Sequence, residues 1–363
     1  MGGVRKKPTI ATVAARAGVA VSTVSRYLNG RYVSRAVRAR LSEIIEELGY
    51  SRSWTARNLS LGRRGSIGVA IDSSEDPWFV QLLKGIEEDL STRDTSLMLC
   101  STVVRKTYDP KIVYQWIQDH RVDGLIVARA QRRERPLFRA ALKAQVPVIA
   151  VAPFEIIAGV NVLRSNNVGG GAMIADHLVN LGHRSIAFAG GPSHSIDSKH
   201  RLRGLREGLA RRGITLAPKH IFSCESFEFD AGTVFAEQFL SRPLDVTAIV
   251  LANDALAFGF MRFALRRGIK MPEELSIVGF DGLVEGAFLY PALTTAAQPM
   301  QEMGRVACQR LLESHGVPGH VERIEFPMHL IVRESTARPS AEFAKVRPLT
   351  LVGSPTAGPM DDA

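Results

Sequence analysis

The stretch Thr9-Ile-Ala-Thr-Val-Ala-Ala-Arg-Ala-Gly-Val-Ala-Val-Ser-Thr-Val-Ser-Arg-Tyr-Leu-Asn29 decides how the N-terminal end of this chain folds. Ile10, Val13, Ala14 and Ala17 recur at helical spacing, with Thr9 placed to cap the helix. Gly18 suits the left-handed residue that ends a helix. Val21–Leu28 predicts a second helix with Val24 and Leu28 facing inward and Ser22, Ser25, Arg26 and Asn29 on the other face. A third starts after Ser34 and keeps Val37, Leu41, Ile44, Ile45 and Leu48 on one stripe. Two short helices around a tight glycine turn make a helix-turn-helix, whose second helix enters the major groove of DNA. Arg26 can offer guanine O6 and N7 two parallel hydrogen bonds, and Val21 and Ser22 sit at the helix tip near base edges. Thr23, Ser25 and Asn29 suit phosphates, which position a protein without reading sequence.

Charge agrees with this reading. Met1–Arg64 carries 13 Lys/Arg against 3 Asp/Glu, while the rest of the chain holds 33 of each. The whole excess of +10 therefore sits on the small head. Localised positive charge binds phosphate backbones by releasing counterions, and general solubility would not confine it to one end. At 363 residues, two or three domains are expected.

From Gly65 the pattern changes. Apolar runs recur at Ile67–Ile71, Leu97–Leu99, Leu125–Val127, Val146–Val151, Ile186–Ala189, Ala248–Leu251 and Ser276–Phe280. Amphipathic stretches alternate with them, among them Phe79–Leu90, Val168–Leu181, Leu202–Arg211 and Leu256–Arg267. Strands alternating with helices predict doubly wound parallel α/β sheets, and some seven runs suit two lobes better than one sheet. Ligands of such sheets bind beyond the carboxyl ends of the strands. Asp72, Asn253-Asp254 and Asp281 each follow an apolar run, as a polar-ligand cleft between lobes requires. Taken singly, each also fits a helix cap, and Asp254 is read as the cap of the helix it opens.

The motifs Val13-Ala14, Ala17-Gly18-Val19, Thr23-Val24-Ser25-Arg26, Leu28-Asn29, Leu48-Gly49-Tyr50 and Ala56-Arg57-Asn58-Leu59 resemble the headpiece of LacI-type (lactose-repressor) transcription regulators. The resemblance runs to about Arg338. It implies an all-α head (1–50), a hinge (51–64), a two-lobed core like that of periplasmic sugar-binding proteins (65–338) and a C-terminal tail (339–363). It also implies a homodimer on near-palindromic double-stranded operator DNA, most simply a repressor, controlled by a small sugar-like effector. In the family, a hinge Leu wedges into the minor groove, which corresponds to Leu59; an apolar wedge unstacks a base step and bends the duplex. Thr9 and Ser34 at helix starts and Ala56 in the hinge complete the expected DNA-contacting set. For the effector, the resemblance implies Trp78 and Phe79, Arg201, Phe227, Asn253 and Asp281, to which the strand-end reading adds Asp72.

Four departures stand out. Ala20 occupies the position that usually caps the recognition helix, and Arg52-Ser53-Trp54 replaces the usual Pro-Asn of the hinge. Trp54 fits packing on the core and lying at the DNA surface equally well. Ala152 stands where Asp is common after Val146–Val151, and Gly282 where a second Asp often follows Asp281.

Other chemistry is disfavoured. Cys100, Cys224 and Cys308 are far apart, form no CxxC or CxxH pair, and read as reduced packing residues. The glycines at 169–171 and 190–191 lack a GxxxxGK[ST] frame. His177 and His183 are poorly spaced for one metal. Ser193, His194, Ser195 and Asp197 share a loop with no GxSxG elbow, so no enzyme is expected. The segment 132–135 reads as a solvated helix face. No run of about 18 apolar residues spans a membrane, no signal-peptide core precedes the head, and the expected location is cytoplasmic. The tail has no leucine heptads and reads as disordered, which favours a dimer over a tetramer.

Overall fold

The computed structural model describes residues 8–50, 63–72, 76–104, 107–242, 245–313 and 321–340. The head is three helices, α1 (Ile10–Ala17), α2 (Val21–Leu28) and α3 (Arg35–Glu47). Thr9 and Thr12 close a capping box on α1, and Gly18 ends it at φ 62°. That left-handed conformation costs little only for glycine, so Gly18 fixes the turn into α2. Val13, Ala17, Val24 and Leu41 are wholly buried where the three helices meet. The expected hinge residues Trp54, Ala56 and Leu59, and nearly all of the tail, lie outside the described residues.

The first lobe holds β1 (Ser66–Ile71), α4 (Pro77–Leu90), β2 (Ser96–Ser101), a small pair β3 (Val103–Val104) and β4 (Thr107–Tyr108), and α5 (Lys111–Gln118). It continues through β5 (Gly124–Ala128), α6 (Arg135–Lys143), β6 (Val148–Val151) and β7 (Asn161–Ser165). The second lobe begins with α7 (Asn167–Leu181), β8 (Ile186–Gly190), α8 (Ile196–Arg211), β9 (Ile221–Ser223) and α9 (Phe229–Leu240). It adds β10 (Ala248–Leu251), α10 (Asp254–Arg266), β11 (Ser276–Asp281) and β12 (Thr294–Ala297). The chain returns to the first lobe for α11 (Met300–Glu313) and β13 (Arg323–Phe326), then ends the second sheet with β14 (His329–Ile331).

Each lobe is a six-stranded sheet, ordered β13-β7-β6-β5-β1-β2 and β14-β12-β11-β10-β8-β9. Within these two sheets all pairings are parallel except β12 with β14, and the separate pair β3 and β4 is antiparallel. Central strands such as β1, β5, β8 and β10 are buried along their whole length, which is why they read as unbroken apolar runs. The expected seven strands grow to six in each main sheet, because β7, β9 and β12 to β14 are short or rich in polar and small residues.

Three helix pairs cross at close range on reciprocal glycines. A Cβ at Gly171 would strike the Arg201 carbonyl and one at Gly204 that of Val168; Gly232 and Gly259 do the same for α9 and α10, and Gly85 and Gly304 for α4 and α11. Two local expectations need correction. In the segment 132–135 the three arginines are exposed, as a solvated face requires, but Glu134 is buried, accepting from the Gln131 amide (2.7 Å) and from Arg133 (3.1 Å). Ser195 and Asp197 belong to α8, which Ser195 caps.

Candidate functional site

Two regions of the molecule carry the expected residues. On the head, Val21, Ser22, Arg26 and Asn29 are exposed along α2, while Thr23 and Ser25 are half-buried. α2 has no side-chain cap, because Ala20 supplies none. Its first amides are therefore left open at the end that faces outward with Val21 and Ser22. Thr9 and Ser34 spend their hydroxyls on helix caps, Ser34 accepting from the Val37 amide at 3.4 Å. Asn29 donates weakly to Ser25 at 3.4 Å. Tyr32, 87% exposed just beyond α2, is an aromatic on this surface that the spacing argument did not single out.

The second region is the cleft between the lobes. The strand order reverses between β1 and β5 in the first sheet and between β8 and β10 in the second. Crevices open where order reverses, at the carboxyl ends of the strands. The cleft there leaves about 390 Å³ of space, its open side included. The first lobe lines it with Trp78, Arg129, Ala152 and Phe154, and the second with Asp197, Arg201, Phe227, Asn253 and Asp281. Gln298, in the crossover after β12, closes the floor.

Each group is held from behind. Arg201 donates from Nε to Asn167 Oδ1 (2.8 Å) and from Nη1 to the Ala252 carbonyl, and pairs with Asp281 at 3.3 Å. Its guanidinium lies 4.6 Å from the Phe280 ring centroid. Asp281 accepts from Gln298 Nε2 at 2.6 Å, and Ser165 donates to Gln298 Oε1 at 2.8 Å. One relay thus links the second lobe, the crossover and the end of β7. Arg129 pairs with Asp76, which also caps α4 through the Trp78 amide (2.9 Å). From the first lobe, Arg129 reaches to 5.8 Å from the Phe227 ring of the second. Gly191 makes room for that ring, since a Cβ there would collide with it.

Burial raises the Asp281 pKa above the usual carboxylate range although Arg201 opposes it, with Asp76 adding to the rise. For Arg129 burial works against the charge, and Asp76 and Asp72 more than restore it, so its pKa is raised. Three residues at the cleft edge hold left-handed backbones without being glycine: Arg129 (φ 50°), Ala152 (φ 48°) and Asp281 (φ 118°). Such conformations cost roughly 1–3 kcal/mol each and gather where geometry serves a site.

The structure therefore brings Trp78, Arg201, Phe227, Asn253 and Asp281 to one cleft. Phe79 is not on its wall. It is 1% exposed and supports Trp78 edge-on, with centroids 5.2 Å apart. Asp72 also lies off the wall, at the end of β1, and acts on the cleft through its field on Arg129. The reading of Asp254 as a cap is corrected. Asn253 caps α10, its Oδ1 accepting from the Leu256 amide at 3.0 Å. Asp254 is buried and accepts from the Gly282 and Leu283 amides (2.9 and 2.7 Å) and from Thr295 (2.7 Å), fixing the turn after β11. Burial and then Asp281 push its pKa up. Arg129, Phe154, Asp197 and Gln298 were missed, although Arg129 obeys the same strand-end rule that found Asp281. Among the described residues no group of His, Cys, Asp or Glu could hold a metal ion, and no helix is long and apolar enough to cross a membrane.

The cleft offers aromatic faces from both lobes and paired Arg, Asp, Asn and Gln groups, which suits a small polyhydroxylated molecule. Comparison with known proteins agrees at the level of both regions. The family profile "Bacterial regulatory proteins, lacI family" matches residues 9–53, and that of a periplasmic binding protein-like domain matches 175–336. The ribose operon repressor of Escherichia coli (strain K12) is 31% identical over 307 residues, 84% of this chain and 92% of that protein. The HTH-type transcriptional regulator DegA of Bacillus subtilis (strain 168) is 31% identical over 339 residues, 91% of this chain and 98% of that one. Among solved structures, the Lac repressor dimer bound to operator and the anti-inducer ONPF superposes with a TM-score of 0.77 at 25% identity, covering 92% of this chain and all of that one. A LacI family transcriptional regulator from Enterococcus faecium with bound ribose gives 0.67 at 25% identity, over 76% of this chain and all of that one. With head and core both matched along most of its length, the chain belongs to the LacI family of bacterial transcriptional regulators.

Proposed function

We propose that this protein is a homodimeric repressor, working in the cytoplasm where its DNA lies, that releases or holds a near-palindromic operator according to a sugar-like effector in the inter-lobe cleft. It acts by binding and not by turnover. The observation that carries the reading is one chain joining a basic helix-turn-helix, with Arg26 exposed on its second helix, to a two-lobed cleft of paired polar groups and aromatic faces. Arg26 reads a base pair in each half-site, with Val21 and Ser22 beside it, while Thr9, Thr23, Ser25, Asn29 and Ser34 hold phosphates. Ala56 and Leu59, in the linker between head (1–50) and core (65–338), engage the minor groove. The effector stacks between Trp78 and Phe227, takes hydrogen bonds from Arg129, Arg201, Asn253 and Gln298, and donates a hydroxyl to Asp281.

Ligand binding between the lobes changes their angle and so the spacing of the two heads. By linkage, the effector's preference for one lobe angle alters operator affinity by the same factor, about 1–3 kcal/mol in such systems. Selection of bound duplexes from a random pool at near-physiological salt tests the reading. The expected result is a palindromic consensus with fixed half-site spacing, as two-fold protein symmetry imposes. No enrichment with or without sugars would overturn it.

A further inference from the structure

The cleft has a second compartment at its mouth, contiguous with the first at Phe154. It is larger, about 1050 Å³ including its open side. Its charge differs from that of the inner cleft. Inside, Arg129 and Arg201 face Asp197 and Asp281, two charges of each sign. At the mouth, Arg132, Arg133 and Lys199 face Glu155 alone. Glu155 is also held by Arg135, bidentate from outside the compartment, so little of its charge is left for the interior. Nearby, Glu134 is buried and paired to Arg133. Counting Arg135 with Glu134, the neighbourhood keeps an excess of two positive charges.

The cations are placed on both sides of the opening. Arg132 and Arg133 come from the first lobe, and Lys199 from α8 of the second. Arg133 is pinned between Glu134 Oε1 (3.1 Å) and the Tyr108 ring (5.0 Å to its centroid), so it is oriented before any ligand arrives. Lys199 is exposed and makes no ion pair among the described residues. Between the compartments, the rings of Phe154 and His194 stack across the lobes at 5.9 Å. A neutral polyol would suit the inner cleft, whose charges balance. Nothing in such a ligand would use the mouth. A ligand with a hydroxylated ring and an anionic tail uses both, the tail closing a charge triangle that spans the lobes.

Resting on the sugar reading above, we infer that the effector is a phosphorylated sugar, its ring in the inner cleft and its phosphate at the mouth between Arg132, Arg133 and Lys199. The phosphate then joins the lobes directly, favouring the closed arrangement over the open one.

Calorimetry on the full-length protein with matched ligand pairs tests this. The pairs are common five- and six-carbon sugars with their terminal monophosphates, such as D-ribose with D-ribose 5-phosphate, plus inorganic phosphate alone. The expected result is that the phosphorylated member of a bound pair binds about tenfold tighter at low salt, the sum of two or three exposed charge contacts. That advantage should shrink as ionic strength rises. Replacing both Arg132→Gln and Lys199→Gln, two exposed positions, should bring the members of a pair close to equal affinity. If a sugar binds and its phosphate binds no tighter, or the double variant keeps the full advantage, the mouth is not a phosphate site and the sugar reading stands. If no member of any pair binds, the sugar reading itself fails, and this inference with it.

Discussion

Asp281 ends β11 with a left-handed backbone and a carboxylate committed to Arg201 and to Gln298. A carboxylate held in this way presents a fixed acceptor to whatever enters the cleft. Asp281→Asn keeps the shape and removes the charge. Its effector affinity should fall about 10- to 100-fold, the worth of a hydrogen bond to a charged group, while ligand-free operator binding is retained. Titration of the variant by calorimetry and by operator release checks both, and undiminished induction would remove Asp281 from the ligand's contacts. Asp281 and Asn253 were legible because each follows an apolar run. Arg129 follows one too, just after Leu125–Val127, but the strand-end reading did not single it out. Gln298 was hidden for another reason. Its strand, Thr294–Ala297, is made of small and polar residues and gives no apolar signal.

α2 shows what a missing cap does to an element. Ala20 already has the extended backbone of an N-cap (φ −67°, ψ 148°) but no oxygen to offer. Ala20→Ser supplies one without moving the chain, and should stabilise the helix by about 1 kcal/mol. Hydrogen exchange at the first amides of α2, followed in the full-length protein, should slow about fivefold. Unchanged exchange would mean that another group already satisfies those amides. The three head helices were legible almost to the residue, since helical periodicity, a Thr cap and a glycine stop all agree there. The reciprocal glycine crossings of α7 with α8 and of α9 with α10 were not legible. A glycine that admits a neighbouring backbone looks, in sequence, like one that serves a turn.

On the scale of the molecule, the last described segment is tied back onto the second lobe. His183 is fully buried, its Nε2 donating to the Ala337 carbonyl at 2.9 Å and its Nδ1 lying 2.8 Å from Thr247 Oγ1. Burial holds its pKa down to about 4, with His177 adding to the effect and the Ala337 carbonyl opposing it. The unfolded chain therefore binds the proton first as pH falls, so stability from this group is whole above about 6.5 and drains away towards pH 4. The full difference is about 3 kcal/mol. Urea unfolding at pH 7.5 and 5 should show a steeper loss for the native protein than for His183→Gln, and equal slopes would refute the assignment.

The two-lobed plan was legible because strands and helices alternate over a length too great for one sheet. Its wiring was not, since β13 and β14 are three or four residues long and the chain crosses between lobes before each of them. That wiring has a consequence for synthesis. The first lobe receives α11 and its last strand, β13 beside β7, only after the whole second sheet except β14 has been made. On the ribosome, the earlier lobe must wait for the later one. Any message cut short before residue 323 yields a protein with a DNA-reading head but a first lobe whose β7 edge stands unpaired. Unpaired strand edges invite aggregation, so a chain stopped there is expected to aggregate more readily than the finished one.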